Sequence, residues 1–365
     1  MSRTRITLDG SVLGWGAGGI SRYLCNVLEH LGREPDLDVE ILANSKRKVA
    51  DIPGIKERDI RLKGGVLWRS TVLEADLFLR RPDVYWLPTI SPPPIIPHPY
   101  VVTVHDFAPV IFPGTKRSIS TLAFKTAYRR AVVKADHVLA VSQATSRDLE
   151  NLWGVPADRI TVTPLGVSTA FKRGDTEGAK RQVADRFGLA TPFALVVGTI
   201  EKRKGLDLAV DIAAASTEPM VVFAGRNGYG HESVVASGTT AGARFLGEVT
   251  EEDLVTLYRC ADVLLVPSIY EGFGLSALEA MACGCPVVVA GGAGSLGDIY
   301  GDAAKVVNDR STEAWLSAVK EVRSDRERFA DAGTRLASTH TWGQTAASTA
   351  DVLRKVGSTG GGRRN

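Results

Sequence analysis

No stretch of this chain approaches the ~20 consecutive apolar residues that a membrane-crossing helix needs. The opening residues, Met1 to Arg5, run straight into a strand-like segment and lack the apolar core of a secretion signal. The expectation is a cytoplasmic protein, with peripheral contact to the inner membrane face left open. Cysteine is scarce: Cys25, Cys260, Cys283 and Cys285. Cys283-Gly284-Cys285 is not a zinc spacing and no second pair accompanies it, so buried, reduced thiols are expected. An excess of one charge is also missing. With 44 basic and 41 acidic residues the net charge is +3, which speaks against a nucleic-acid partner. No fixed-period repeat occurs.

What the chain does have is length and alternation. Its 365 residues exceed what one core usually serves, so two domains are expected. Short β-branched runs alternate with helical patterns: strands at Arg5 to Leu8, Val39 to Leu42, Val84 to Leu87, Val101 to Val104 and Val138 to Val141, and a helix at Ile20 to Leu31. The pattern restarts with strands at Phe193 to Val197, Met220 to Ala224, Val263 to Val266 and Val287 to Ala290, and helices at Leu206 to Ala215 and Leu275 to Ala282. This predicts an α/β protein with two Rossmann-like domains facing across a cleft. The turn residues Pro164 to Val167 place the boundary, giving 1–166 as acceptor domain and 167–340 as donor domain. A helix over 341–357 and a disordered Gly- and Arg-rich tail over 358–365 complete the expected organisation.

The segment from Glu271 to Met281 carries the strongest chemical signal. It follows a strand and the turn Pro267-Ser268. Gly272 and Gly274 permit close backbone approach, and the helix that starts at Leu275 aims its free N–H groups and positive dipole end at a ligand. That is a diphosphate site. Glu279, one to two turns inside the helix, is placed to accept ribose hydroxyls. Glu271 would be repelled by a diphosphate, so it is expected to face a sugar with Gly272 and Phe273 and to stabilise positive charge there. Taken singly, the two glutamates read as an ordinary loop and surface helix.

Three further segments support it. Gly198 to Gly205 joins a strand to a helix and offers Arg203 and Lys204 for phosphates, or else is a solvated turn. Gly14-Trp15-Gly16-Ala17-Gly18-Gly19 precedes a helix and matches G-x-G-x-x-G, a weak signal alone. Glu40 follows it at about the distance of a dinucleotide ribose contact, but inside a strand. His105-Asp106 ends a strand, where the histidine could bind hydroxyls or relay a proton, or simply be structural.

Together these segments resemble the retaining GT-B glycosyltransferases of family 4. The resemblance spans nearly the whole chain and is strongest from Phe245 to Ala304. It implies that Glu271 contacts the transferred sugar, Glu279 the ribose, and Arg203 and Lys204 the diphosphate, with Gly18, Gly19, His105 and Asp106 at the facing domain. Thr341-Trp342 before the last helix also matches, and implies that this helix crosses back onto the first domain. The Gly-Thr-hydrophobic-Glu-x-Arg-Lys wording is similar to the GDP-mannose branch. Thr199, Lys202, Gly205 and Asp298 depart from the common pattern. The resemblance implies a hexosyltransferase acting with retention on a glycan, lipid-linked or small-molecule acceptor. It implies a nucleotide-sugar co-substrate and no essential metal or cofactor.

Rival readings are an NAD-dependent dehydrogenase, a glycoside hydrolase, a GT-B epimerase and a non-catalytic nucleotide-sugar binder. Hydrolases need carboxylates ~5 to 10 Å apart around one bond, which a glutamate inside a helix suits poorly. Asp36-Leu37-Asp38 spells a metal motif but falls in a helix-to-strand connection. Finally, Lys116, Arg117, Lys125, Arg129, Arg130 and Lys134 form an acid-free basic stretch. At 100° per residue Phe124, Ala127, Tyr128, Ala131 and Val132 share the arc expected to pack inward. The opposite arc, with Ile119, Leu122 and Val133 among the charges, suits either an anionic membrane surface or water.

Overall fold

The structure is a computed structural model that describes residues 3–14, 18–43, 52–59, 74–89, 93, 95–112, 118–215, 220–292 and 294–361. The chain divides into two compact units, one running to Gly166 and resuming at Trp342, the other spanning Val167–Thr341.

Seven strands build the sheet of the first unit: β1 (Thr4–Asp9), β2 (Leu37–Ala43), β3 (Ile55–Asp59), β4 (Val84–Leu87), β5 (Tyr100–Val104), β6 (His137–Ala140) and β7 (Ile160–Val162). Their order is β3-β2-β1-β4-β5-β6-β7, and every pairing is parallel. β4, β5 and β6 are buried at every position, which is why their sequences read as unbroken apolar runs. Helices must cover both faces, and the helix Gly19–Leu31 buries Tyr23, Leu24, Val27, Leu28 and Leu31 to do so.

The last helix, Trp342–Gly361, belongs to this unit and packs on Gly19–Leu31, β1 and β4. Gly357 lets it approach closely, since an added Cβ would lie 2.7 Å from Thr4 Cγ2. Arg354 fastens it by bonds to Asp36 at 2.8 Å and Glu34 at 2.5 Å. The helix runs on to Gly361, over residues expected to begin a disordered tail; 362–365 lie outside the described residues. Asp36 thus serves the last helix, and Asp38, in β2 rather than a loop, pairs with Lys56.

The second unit holds β8 (Phe193–Val197), β9 (Met220–Ala224), β10 (Arg244–Phe245), β11 (Val263–Val266), β12 (Val287–Ala290) and β13 (Lys305–Val307), in the order β10-β9-β8-β11-β12-β13, again all parallel. In each sheet the chain runs outward on one side of its first strand, then returns to the other side. The strand order therefore reverses between β1 and β4, and between β8 and β11. At such a point the loops leaving the carboxyl ends diverge and open a crevice for a ligand.

Candidate functional site

In the second unit the reversal lies between the two motifs with the strongest chemical signal. One loop leaves β8 at Gly198, the other leaves β11 at Pro267. They are tied together by the Ile269 N–H, which donates to the Arg203 carbonyl at 2.9 Å, and Arg310, just past β13, braces the Pro267 carbonyl at 2.9 Å. Gly205 sits at φ +63, where an added Cβ would lie 2.0 Å from the Pro267 carbonyl oxygen. No side chain fits at this crossing.

The crossing delivers charged groups to one place. Lys204 Nζ donates to Glu271 Oε1 at 2.5 Å, and Ser268 Oγ donates to the same oxygen at 2.7 Å. Arg203 Nη1 lies 3.8 Å from Glu271 Oε2, while its Nε meets Glu201 Oε1 at 2.7 Å. The backbone of Glu271 is held as well, its carbonyl accepting from Ser295 N–H and Oγ, each at 3.1 Å. Glu271 is only 8% exposed. Burial alone would raise its pKa, but the charges of Lys204 and Arg203 and the bonds from Lys204 and Ser268 outweigh it and hold the carboxyl below its ordinary value. It is a fixed carboxylate.

Beside it, the helix Leu275–Ala282 starts from Gly274 at φ +84, and no side chain caps this end. A helix start leaves its first N–H groups without intrahelical partners, so those of the turn at Leu275 remain for an anion. A Cβ on Gly274 would lie 2.4 Å from Leu296 Cδ2, so only glycine allows this entry. Phe273 is buried edge-on to Tyr300 and His340. Glu279 sits deeper in the helix than a surface residue, 3% exposed, with the Tyr258 hydroxyl donating to it at 3.4 Å.

In the first unit the reversal lies between β1 and β4. Gly18 and Gly19 start the helix that follows β1, without a side-chain cap, and a Cβ at Gly19 would meet nothing within 4 Å. Trp15, Gly16 and Ala17 lie outside the described residues. Past β5, the Nε2 of His105 lies 2.9 Å from the Pro88 carbonyl beyond β4, and the ring packs edge-on against Tyr23 at 4.8 Å. A carbonyl only accepts, so Nε2 carries the proton and Nδ1 keeps its lone pair. Burial pushes the pKa of His105 down, so the ring is neutral near pH 7. Asp106 Oδ1 accepts the Ala108 N–H at 3.0 Å and shapes the turn into the short helix Ala108–Ile111. Glu40, placed as a ribose contact by the dinucleotide reading, instead pairs with Arg58.

The sequence motifs pointed to Glu271, Lys204 and Arg203 but not to Ser268, Glu201, Ser295 or Tyr258. Ser268 was visible only as half of a turn. Its placement three residues before the carboxylate, with the same i−3 reach that makes serine a cap, was the available signal.

Two family models match, one described as glycosyl transferases group 1 over residues 183–336 and one as glycosyltransferase family 4 over residues 17–171. The chain belongs to glycosyltransferase family 4. An O-antigen chain mannosyltransferase B of Escherichia coli is 32% identical over 236 residues, covering 62% of this chain and 61% of that protein. A D-inositol 3-phosphate glycosyltransferase of Nocardia farcinica is 32% identical over 244 residues, covering 62% and 53%. The chain thus spans less than two thirds of the length of these relatives. Sucrose-phosphate synthase from Thermosynechococcus elongatus superposes with a TM-score of 0.77 at 19% identity, covering 98% of this chain and 100% of that one. That likeness establishes the GT-B fold.

Proposed function

We propose that this chain transfers a hexose from a nucleoside-diphosphate sugar, GDP-mannose first among candidates, to an acceptor hydroxyl with retention of configuration. The observation that carries the reading is the Lys204–Glu271 pair, set at a strand-order reversal beside the uncapped helix start at Leu275. Cations and free N–H groups together suit a diphosphate, and a fixed carboxylate next to them suits the sugar attached to it.

The chemistry follows from those charges. As the bond from the anomeric carbon to the diphosphate oxygen breaks, negative charge grows on the leaving group. Lys204, Arg203 and the amides of Gly274 and Leu275 stabilise it. Positive charge grows on the sugar, where the Glu271 carboxylate offsets it. The acceptor oxygen bonds to the anomeric carbon on the departing face, and its proton passes to a donor phosphate oxygen. Glu279 accepts from the ribose, and His105 offers its Nδ1 lone pair to a sugar hydroxyl. The acceptor is a glycan, a lipid-linked intermediate or a small molecule. No essential metal takes part, so a chelator leaves turnover unchanged.

A panel of GDP- and UDP-sugars, scored by thermal shift and by slow donor hydrolysis, tests the reading. Stabilisation and hydrolysis by one donor support it, and product NMR then reports retention. Stabilisation by NAD but by no nucleotide sugar overturns it. The proposal extends to location. The helix Ser118–Lys134 exposes Arg129, Arg130 and Lys134 and would rest on an anionic membrane surface.

A further inference from the structure

Arg203 and Lys204 are each matched to a carboxylate, Glu201 and Glu271. A diphosphate carries several negative charges. It would meet two cations offset by two anions, plus a helix end worth roughly half a charge. A further cation at this rim would complete the neutralisation.

β9 lies beside β8, with Ala224 opposite Val197, so Gly225-Arg226 leave the sheet next to Gly198-Thr199. The two loops touch through their backbones. A Cβ on Gly225 would lie 2.0 Å from the Gly198 carbonyl oxygen, and Ile200 N–H donates to the Arg226 carbonyl at 3.0 Å. Arg226 Nε donates to Thr199 Oγ1 at 3.4 Å. Thr199 follows Gly198, and the Lys204 side chain runs over that glycine, its Cε 3.7 Å from where a Cβ would stand. Arg226 is exposed, and among the described residues no carboxylate pairs with it. A guanidinium bonded through Nε to Thr199, next to the glycine that Lys204 covers, has two N–H-bearing nitrogens to spare for phosphate oxygens.

We infer that Arg226 is a third phosphate-binding cation of the donor site, held ready by the Thr199 hydroxyl. The inference rests on the nucleotide-sugar reading above.

The test is calorimetric titration of UDP, GDP, UMP and GMP into the full chain and into Arg226→Ala, Arg226→Lys and Thr199→Val. The diphosphate that binds wild type should bind Arg226→Ala about tenfold or more weakly, as expected for a lost charge-assisted bond. Arg226→Lys should fall between the two, and Thr199→Val should lose less than Arg226→Ala. The monophosphates should change less than the diphosphates, and the melting temperature should stay constant, because the side chain is exposed. Equal diphosphate affinity in wild type and Arg226→Ala overturns the assignment of Arg226 alone. If wild type binds neither UDP nor GDP, the donor reading fails and Arg226 falls with it.

Discussion

Lys204 Nζ stands 2.5 Å from Glu271 Oε1, although 67 residues separate them in the chain. The pair keeps both side chains in place before a donor arrives, at the cost of their mutual neutralisation. Glu271→Gln therefore has opposite effects on two measurements. Turnover should fall at least about a hundredfold, as when one preorganised charge is removed from a developing transition state. Binding of the nucleoside diphosphate should hold or tighten, because Lys204 and Arg203 lose a competing anion. Near wild-type kcat in the purified variant would remove Glu271 from the chemistry.

Glu279 behaves differently because it is buried inside the helix and bonded to Tyr258. Ribose hydroxyls are bound equally in ground and transition states, so Glu279→Gln should raise the donor Kd about tenfold with little change in kcat. Tyr258→Phe should give a smaller shift in the same direction. An unchanged donor Kd in Glu279→Gln, measured by titration, contradicts the ribose role.

The crossing of the two loops at Gly205 can be probed by stability. Gly205 and Gly188 share a left-handed backbone, φ +63 and +60, but Gly205 faces the Pro267 carbonyl whereas nothing lies within 4 Å of a Cβ at Gly188. Alanine at 188 should cost about 1 to 2 kcal/mol from backbone strain alone. Alanine at 205 should cost about 3 kcal/mol or more, since strain and overpacking add, and should also weaken diphosphate binding. Denaturant melts of the two variants measure the difference; equal losses would mean that the loops are not in register as described.

What the sequence revealed of this architecture has a physical pattern. β8, β9, β11 and β12 read as apolar runs because the flanking strands and covering helices bury them. The strands that escaped notice, β3, β7, β10 and β13, are the four edges of the two sheets. Edge strands face solvent on one side and tolerate charges, as in Ile55-Lys56-Glu57-Arg58-Asp59, or shrink to two residues, as at Arg244–Phe245. The site motifs were legible for the same reason as the central strands: each is a local run. Their meeting was not, because it depends on β11 returning beside β8. Ala127 shows the limit of helical periodicity. It shares an arc with buried Tyr128, Ala131 and Val132 but is exposed, being at the margin of the stripe and too short to reach the core. Phe124's side chain lies outside the described residues.

The pH dependence of stability carries the signature of His105. Its folded pKa lies below the ordinary value of about 6.5, so the unfolded chain takes up the proton first on acidification. Stability from this group is complete above about pH 6.5 and is lost as pH falls from there toward the folded pKa. His137, also lowered by burial and by Lys355, acts in the same window. Glu271 acts in another: its stabilisation persists until pH drops below about 4.3 toward its depressed folded pKa. Wild type should therefore melt lower at pH 5.5 than at pH 7.5. His105→Gln, whose amide matches the reach of the imidazole Nε2 toward the Pro88 carbonyl, should show a smaller drop, with His137 supplying the remainder. Identical drops in both proteins would show that His105 is not buried neutral.

The membrane proposal is sharpened by where the basic side chains go. Lys125 Nζ donates to the Val110 carbonyl at 2.8 Å, so this residue fastens the helix to the preceding segment instead of facing outward. Lys116 and Arg117 lie outside the described residues. The charges exposed along the rest of the helix are Arg129, Arg130 and Lys134. Each basic residue near an anionic surface contributes about 1 kcal/mol of attraction, so three of them should give binding that rises with anionic lipid content and falls as salt screens it. Replacing Arg129, Arg130 and Lys134 with Glu should abolish vesicle co-sedimentation while nucleoside-diphosphate affinity stays the same. Lys125→Gln should instead lower the melting temperature and leave co-sedimentation nearly unchanged. If the wild-type protein remains in the supernatant with anionic vesicles at low salt, this face meets only water and the acceptor reaches the enzyme from solution.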